Sequence, residues 1–363
     1  MQYRAVLEQM KVVDIFCGCG GLSLGATKAG FEVALSVDID PILTDSYETN
    51  FGSGRLHLAD VAELSGADIV KKVAGPIDGV IGGPPCQGFS EIGRADVDDP
   101  RRGLLRHFFR LVAEIGPSFF MMENVRGLTF PKNREILVAA LEAVTPRYDI
   151  VGPLALNSAA YGAATKRPRV FIFGYDRTRV DQLTAEAVAA AVVPPTTVRD
   201  AIGDLSSASF LRMDDGGFDL WGHHRHLNLS PYAARLRDGA TEFTSHSATI
   251  HTAAVAARFA SVAPGTLDSV GRHPRLSWDG QCPTIRAGTG SDRGSYQAVR
   301  PLHPDEPRVI TVREAARLQG FPDWFRFHET TWHSFRMIGN SVSPVIAEAL
   351  LLLVRRKLSV IVR

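Results

Sequence analysis

Of the four cysteines in this 363-residue chain, Cys17, Cys19, Cys86 and Cys282, one is set apart by its neighbours. Cys86 lies in Gly82-Gly83-Pro84-Pro85-Cys86-Gln87-Gly88-Phe89-Ser90, directly after the apolar run Ile77-Asp78-Gly79-Val80-Ile81. Two glycines and two prolines end a buried strand abruptly and fix the backbone around the sulfur. A thiolate is a strong nucleophile. The carboxyl end of a parallel strand is where α/β proteins hold ligands. A small cysteine buried in a tight turn would look the same, so the other motifs must decide.

A carboxylate is placed similarly. Pro117-Ser118-Phe119-Phe120-Met121-Met122 reads as a buried strand and ends in Glu123-Asn124-Val125. A carboxyl group directly after such a run sits low in a cleft, where desolvation raises its pKa and lets it donate a proton. The alternative is a salt-bridged structural glutamate. Arg167 and Arg169 are two apart in Thr165-Lys166-Arg167-Pro168-Arg169. On an extended segment they point the same way and could hold an anion or a base carbonyl.

A ligand loop comes earlier. Lys11 to Phe16 reads as a buried strand, Cys17-Gly18-Cys19-Gly20-Gly21-Leu22-Ser23-Leu24-Gly25 as a glycine turn, and Ala26 to Gly30 as a helix with a glycine stop. Strand, glycine turn and helix open a Rossmann-like nucleotide site. The glycines at 18, 20, 21 and 25 do not match the dinucleotide spacing. The second strand, Phe31 to Val37, ends in Asp38-Ile39-Asp40. Asp38 is placed to accept from ribose hydroxyls. Asp40 could instead cap a helix starting near Pro41. Asp60, after Leu56-His57-Leu58-Ala59, could accept from an adenine amino group.

These residues need a scaffold. Strands and helices alternate up to about Tyr175, which indicates an α/β fold with a mostly parallel sheet covered on both faces. Glu91 to Gly103 reads as a long exposed loop of the kind that closes over a site. From about Arg177 the chain becomes turn-rich, with Pro194-Pro195 marking a boundary. Trp221-Gly222-His223-His224-Arg225-His226 looks metal-like but lacks the pairing of a site; surface or phosphate contacts are expected. Regularity returns at Thr311 to Pro322, with Thr311 and Glu314 as a capping box, and in the apolar helix Val345 to Leu358.

Bulk properties exclude several classes. Apolar residues make up 45% of the chain and no eighteen follow one another, so no membrane span is expected. Met1-Gln2-Tyr3-Arg4 lacks a secretory pattern, and the cysteines fit neither a disulfide scaffold nor a zinc site. A net charge of +1 gives no argument for a nucleic-acid partner. Lysine is absent between Asp176 and Arg300 while arginine is frequent. Arginine suits guanine edges and phosphates, but a GC-rich genome would produce the same bias.

Taken together, these motifs resemble those of the cytosine-5 DNA methyltransferases of bacterial restriction-modification systems. The resemblance runs in order along nearly the whole chain, except the interior from Arg177 to Leu276. Phe16-x-Gly18-x-Gly20-Gly21 resembles the family's cofactor loop. Asp38 with Ile39, and Asp60 with Val61, match its ribose and adenine positions. Pro85-Cys86-Gln87, Glu123-Asn124-Val125 and Arg167-x-Arg169 match catalytic motifs, with Thr165 where the family usually has glutamine. Arg313 to Pro322 matches a helix of the recognition domain, and Gly339-Asn340-Ser341-Val342 the C-terminal cofactor motif.

The resemblance implies a Rossmann-like S-adenosylmethionine-dependent methyltransferase sheet with a smaller irregular target-recognition domain. The implied division is 1–178 catalytic and cofactor-binding, 179–332 target-recognition, and 333–363 a helix returning to the first domain. Cys86, Glu123, Arg167 and Arg169 would be catalytic. Phe16, Gly18, Gly20, Gly21, Leu22, Asp38, Ile39, Asp60, Val61, Pro84, Asn340 and Ser341 would hold S-adenosyl-L-methionine, leaving S-adenosyl-L-homocysteine; no metal is expected. Gln87, Ser90, Arg102, Thr284, Arg286 and Arg293 would touch double-stranded DNA. A cytoplasmic, nucleoid-associated bacterial monomer is implied, with a cognate restriction endonuclease acting on the same site without a stable complex. Three other readings compete: a transfer-RNA methyltransferase of the same family, a DNA-binding regulator with a dead site, and a dinucleotide oxidoreductase. The intact Cys86, Glu123 and Arg169 oppose the second, and the glycine spacing opposes the third.

Overall fold

A computed structural model describes residues 9–85, 103–224, 228–288 and 299–361. Its centre is a seven-stranded sheet of β1 (Lys11–Ile15), β2 (Glu32–Asp38), β3 (Leu56–Leu58), β4 (Gly79–Gly82), β5 (Phe119–Asn124), β6 (Asp149–Asn157) and β7 (Pro168–Tyr175). The order is β3-β2-β1-β4-β5-β7-β6. The first five strands run parallel; β7 is antiparallel to both β5 and β6. Strand order reverses between β1 and β4, so a crevice opens at their carboxyl ends. Every residue of β4 and β5 is buried. That follows from helices on both faces, and explains why these strands read as continuous apolar runs.

Five helices punctuate the first half: α1 (Gly21–Lys28), α2 (Tyr47–Phe51), α3 (Gly66–Val73), α4 (Gly103–Ile115) and α5 (Arg134–Leu141). One face of the sheet packs on Ile69, Val73, Phe108, Phe109 and Leu137 of α3 to α5. The other packs on Leu22 and Ala26 of α1, on Val188 of α6 (Ala185–Ala189) and on Ile346, Leu350 and Val354 of α12 (Pro344–Ile361). The apolar length of α12 is thus spent inside the protein. α6 joins this layer through Val188.

The irregular half contains more order than its sequence suggests. It holds α7 (Val198–Ile202), α8 (Pro231–Arg237), α9 (Ala253–Ala260), α10 (Val312–Gln319) and α11 (Thr331–Asn340). A small antiparallel sheet runs β10 (Glu242–Thr244), β9 (Asp219–Gly222), β8 (Ser209–Met213). Asp219 anchors it by accepting the N–H groups of Ser245, His246 and Ser247 at 2.6 to 2.9 Å. One apolar cluster joins Cys19, Leu24 and Ala164 of the first half to Ile202, Phe243, Ile310 and Phe335 of the second. The two halves therefore share a core.

Asp14 on β1 is fully buried and heads a directed hydrogen-bond chain. Ser23 Oγ donates to Asp14 Oδ2 (2.5 Å), Tyr47 O–H donates to Ser23 Oγ (2.8 Å), and Ser36 Oγ lies 2.5 Å from the Tyr47 oxygen. The chain pins α1 and α2 to β1 and β2. Burial pushes the Asp14 carboxyl up from 3.8 to about 7, against the pull of Ser23. Between those values the native state keeps a proton that the unfolded chain has lost, so stability falls as pH rises. At about 1.4 kcal/mol per pH unit, the loss across this window is on the order of 4 kcal/mol. Asp14→Asn should therefore gain thermal stability relative to the parent chain as pH is raised from about 5 to about 8. A Tm difference that stays constant across that range would show that Asp14 does not titrate there.

Candidate active site

The cofactor loop begins where β1 ends. Phe16 has φ +65°, a left-handed conformation uncommon for a side chain of this size. The Phe16 and Cys17 N–H groups both donate to Val37 O at 2.8 and 3.1 Å. Gly18 N–H donates to Asp38 Oδ2 (2.8 Å), and Asp40 N–H to Asp38 Oδ1 (2.9 Å). Burial pushes the Asp38 carboxyl up, while these two N–H groups pull it back. Asp40 accepts from Ile42 and Leu43. It thus caps a turn, because the helix near Pro41 starts only at Tyr47.

The glycines divide into two kinds. A Cβ on Gly18 would meet nothing within 4 Å, so the loop is open there. A Cβ on Gly21 would lie 2.0 Å from Ser341 Oγ and 2.2 Å from Val342 O. One on Gly20 would lie 2.4 Å from the Phe51 ring. The loop is therefore pressed against the C-terminal motif and free on its other side. α1 starts at Gly21, five residues before its expected start at Ala26. Gln319 Nε2 holds Ser341 O at 3.0 Å, and Asn340 is exposed. Ile39, 64% exposed, and the half-buried Asp60 follow the next two strand ends, with Val61 buried. An open glycine cradle, an acid and an exposed apolar side chain at adjacent strand ends suit a nucleoside. These residues fit S-adenosylmethionine.

The catalytic side is built by the β4–β5 register. Gly82 pairs with Met122, which brings Gly83 beside Glu123. A Cβ on Gly83 would lie 3.3 Å from Glu123 Oε2. Asn124 Nδ2 donates to Pro84 O (3.2 Å), fastening the two segments together. Arg169 Nε lies 2.9 Å from Glu123 Oε1, and the carboxylate is 8% exposed. Burial pushes the Glu123 carboxyl up, against the opposing pull of Arg169 and Arg167. Cys86, Gln87, Ser90 and Arg102 lie outside the described residues, as does most of the expected loop from Glu91 to Gly103.

The two arginines have different partners. Arg169 meets Glu123, whereas Arg167, 1% exposed, donates to Gly339 O (2.7 Å) and Ile285 O (3.3 Å). Both guanidinium charges are nonetheless felt at the Glu123 carboxyl. Thr165 Oγ1 donates to Cys282 O (3.2 Å), and Thr284 Oγ1 to Lys166 O (2.7 Å). Residues 282 to 285 are thereby zipped along 164 to 167. Arg286 next to them is exposed, and Arg293 lies outside the described residues. His223 is not a surface contact: its ring is enclosed against Phe243, with Nε2 2.6 Å from Asp323 Oδ2. Sequence reasoning missed Gln319 and the tether of Asn124 to Pro84, since single polar residues inside a motif carry no periodic signal.

Comparison with known proteins agrees with this arrangement. Residues 10–354 match the model of the C-5 cytosine-specific DNA methylases. The chain is 42% identical over 358 residues to the Type II methyltransferase M.XorII of Xanthomonas oryzae pv. oryzae, covering 93% of this chain and 82% of that protein. It is 31% identical to M.DdeI of Desulfomicrobium norvegicum, covering 94% and 87%. A prophage-encoded protein of E. coli, assigned to the DNA modification methyltransferases, superimposes with a TM-score of 0.82 at 37% identity, covering 97% of this chain and all of that one. The S. pombe Dnmt2 methyltransferase shares the fold, with a TM-score of 0.66 at 16% identity over 97% of this chain and all of that one. With the glycine cradle, the buried glutamate–arginine pair and this match along its length, the chain belongs to the C-5 cytosine-specific DNA methylases and is an S-adenosylmethionine-dependent DNA cytosine-5 methyltransferase.

Proposed function

We propose that the enzyme methylates a cytosine flipped out of a specific duplex sequence, through a covalent bond between Cys86 Sγ and C6 of the base. The observation that carries this reading is the Glu123 carboxyl, buried beside Gly83 at the root of the Cys86 segment and paired with Arg169. The Cys86 thiolate adds to C6, and Glu123 hydrogen-bonds and protonates N3, which makes C6 electrophilic and leaves an enamine across C5. S-adenosylmethionine, when bound, supplies the electrophilic sulfonium methyl that C5 accepts. Transfer of the C5 proton to water, return of the N3 proton to Glu123 and rupture of the C6–Sγ bond then restore the aromatic ring and the thiolate. A thiol cannot reach a base inside a duplex, so unstacking at a cost of roughly a few kcal/mol precedes chemistry.

Phe16, Gly18, Gly20, Gly21, Leu22, Asp38, Ile39, Asp60, Val61, Pro84, Asn340 and Ser341 bind the cofactor, with Asp38 on the ribose. Arg169 steadies Glu123 and the base O2. Arg167 holds main chain at the same site. Gln87, Ser90, Arg102, Thr284, Arg286 and Arg293 touch DNA, Arg286 and Arg293 in the major groove. The sheet with α1 to α6 and α12 is the chemical unit, and the part between α6 and α11 reads sequence. The enzyme acts as a monomer in the cytoplasm and protects the sites of a cognate restriction endonuclease without binding it. The Type II relatives support this setting.

Three variants test the reading. Cys86→Ser should abolish turnover while S-adenosylmethionine still binds. The parent enzyme, but not this variant, should trap duplexes carrying 5-fluorocytosine at the target site as an adduct that survives denaturing electrophoresis. Glu123→Gln should slow methyl transfer at least about 100-fold in single-turnover assays; a near-normal rate would remove Glu123 from the mechanism. Gly21→Ala should weaken cofactor binding about tenfold or more by calorimetry, since its methyl must displace main chain at Val342. Unchanged affinity would place the cofactor elsewhere.

A further inference from the structure

Tyr47, at the start of α2, is wholly buried and takes no part in the chemistry at Cys86 and Glu123. Its ring stacks on Phe51, with centroids 4.5 Å apart. Gly20 of the cofactor loop rests on this pair: a Cβ there would lie 3.0 Å from the Tyr47 ring as well as against Phe51. The Tyr47 hydroxyl sits between two serines. Ser23 belongs to α1, three residues beyond Gly20. Ser36 belongs to β2, two residues before Asp38, and so faces the same side of the strand as that acid. Tyr47 therefore supports the loop with its ring and ties the loop's helix to the Asp38 strand with its oxygen.

Each hydroxyl has one proton to give, and this fixes the direction of the tie. Ser23 gives its proton to Asp14, 2.5 Å away, so it accepts from Tyr47 at 2.8 Å. Having given its own proton, the Tyr47 oxygen accepts from Ser36 at 2.5 Å. Asp14, Ser23, Ser36 and Tyr47 are all 0% exposed, so bulk water cannot replace a lost partner. The stack is also braced from behind. Asn50 of the same helix donates to Arg326 O (2.8 Å) and accepts from Arg326 N–H (2.9 Å). The Phe51 ring meets Phe325 edge-on at 6.0 Å. On its other side the loop is held by Asp38, which accepts the Gly18 N–H.

We infer that Tyr47 is a positioning residue for S-adenosylmethionine: its hydroxyl sets the distance between the glycine turn and Asp38, and so the width of the cradle, without touching the cofactor. The inference rests on the reading above that the glycine loop and Asp38 hold the cofactor. Tyr47→Phe keeps the ring, and with it the support under Gly20, and removes only the tie. The Ser36 proton then lacks this acceptor and Ser23 lacks this donor, and the turn is free to shift against β2.

The test uses the full-length enzyme, S-adenosylhomocysteine as the binding probe and genomic DNA as the methyl acceptor, at a temperature where near-ultraviolet circular dichroism shows each variant folded. Tyr47→Phe should weaken S-adenosylhomocysteine binding about tenfold by calorimetry, the scale of one buried hydrogen bond lost. KM for S-adenosylmethionine should rise by a similar factor, while kcat at saturating cofactor and KM for DNA stay within about threefold. A merely structural role gives the opposite split, because partial unfolding lowers the active fraction and so kcat, with KM unchanged. Ser36→Ala breaks the tie at its other end and leaves the tyrosine in place. It should shift cofactor affinity in the same direction, add little when combined with Tyr47→Phe, and serve alone where Tyr47→Phe folds poorly. Parent-like cofactor affinity in these variants, or a fall in kcat with KM unchanged, overturns the inference. Asp38→Ala separates the two levels. If it leaves S-adenosylhomocysteine affinity unchanged, the cradle reading falls and the role of Tyr47 with it. If it weakens binding while Tyr47→Phe and Ser36→Ala do not, the cradle reading stands and the role of Tyr47 alone falls.

Discussion

The structure depends on a contact between backbones that only glycine permits. Gly21 lies against Ser341 and Val342, and one turn further Gly25 lies against Ala347, whose Cβ would sit 2.4 Å from an added methyl. This lets α1 and α12 lie close together over one face of the sheet. It also places the glycine loop and the Gly339-Asn340-Ser341-Val342 motif in one pocket wall. Gln319 extends the grip: its Nε2 donates to Ser341 O, and its own O accepts from Ser343 Oγ. A side chain at either glycine would force α1 and α12 apart.

The electrostatics of the catalytic side follow from the same burial. Glu123 ends a strand with no exposed residue, so water cannot stabilise its charge and its carboxyl is held above the ordinary range. Arg169 opposes that shift. Arg167 contributes from behind, with its own hydrogen bonds given to main chain, so that its charge is felt at Glu123 without competing for the carboxylate. The Gly-Pro-Pro turn then needs no side chain of its own to meet Glu123, only the absence of one at Gly83.

Much of this was legible in the residues. Buried strands announce themselves as apolar runs, so β1, β2, β4, β5 and β7 and the acids and glycines at their ends could be read directly. The capping box at Thr311 and Glu314 also forms as its spacing implies, with Gly320 in the left-handed region at the other end of α10. Less legible was the interior between Arg177 and Leu276. Its strands are three to five residues long, and β8 is exposed throughout, so alternation has no length over which to appear. Buried charge was hidden too. Arg313 and Arg317 look like a solvated helix face, yet both are fully enclosed, Arg317 by Asp323 and Asp204 and Arg313 by carbonyls of Thr244, Pro322 and Phe325. Periodicity cannot register an ion pair whose acids lie outside the helix. The division of labour between Arg167 and Arg169 was invisible for the same reason, because it depends on which carbonyls the fold brings within reach.

The meeting of Gly21 with Ser341 also bears on how the enzyme is made. Ribosomes extend a chain at roughly 5–20 residues per second, and domains fold from the amino end as they emerge. About 320 residues separate the two sides of this contact, which at that pace is a delay of between roughly 15 and 60 s. During this interval one face of the sheet still lacks the α12 layer that covers it. The contact between α1 and α12 thus forms only after most of the chain has been made.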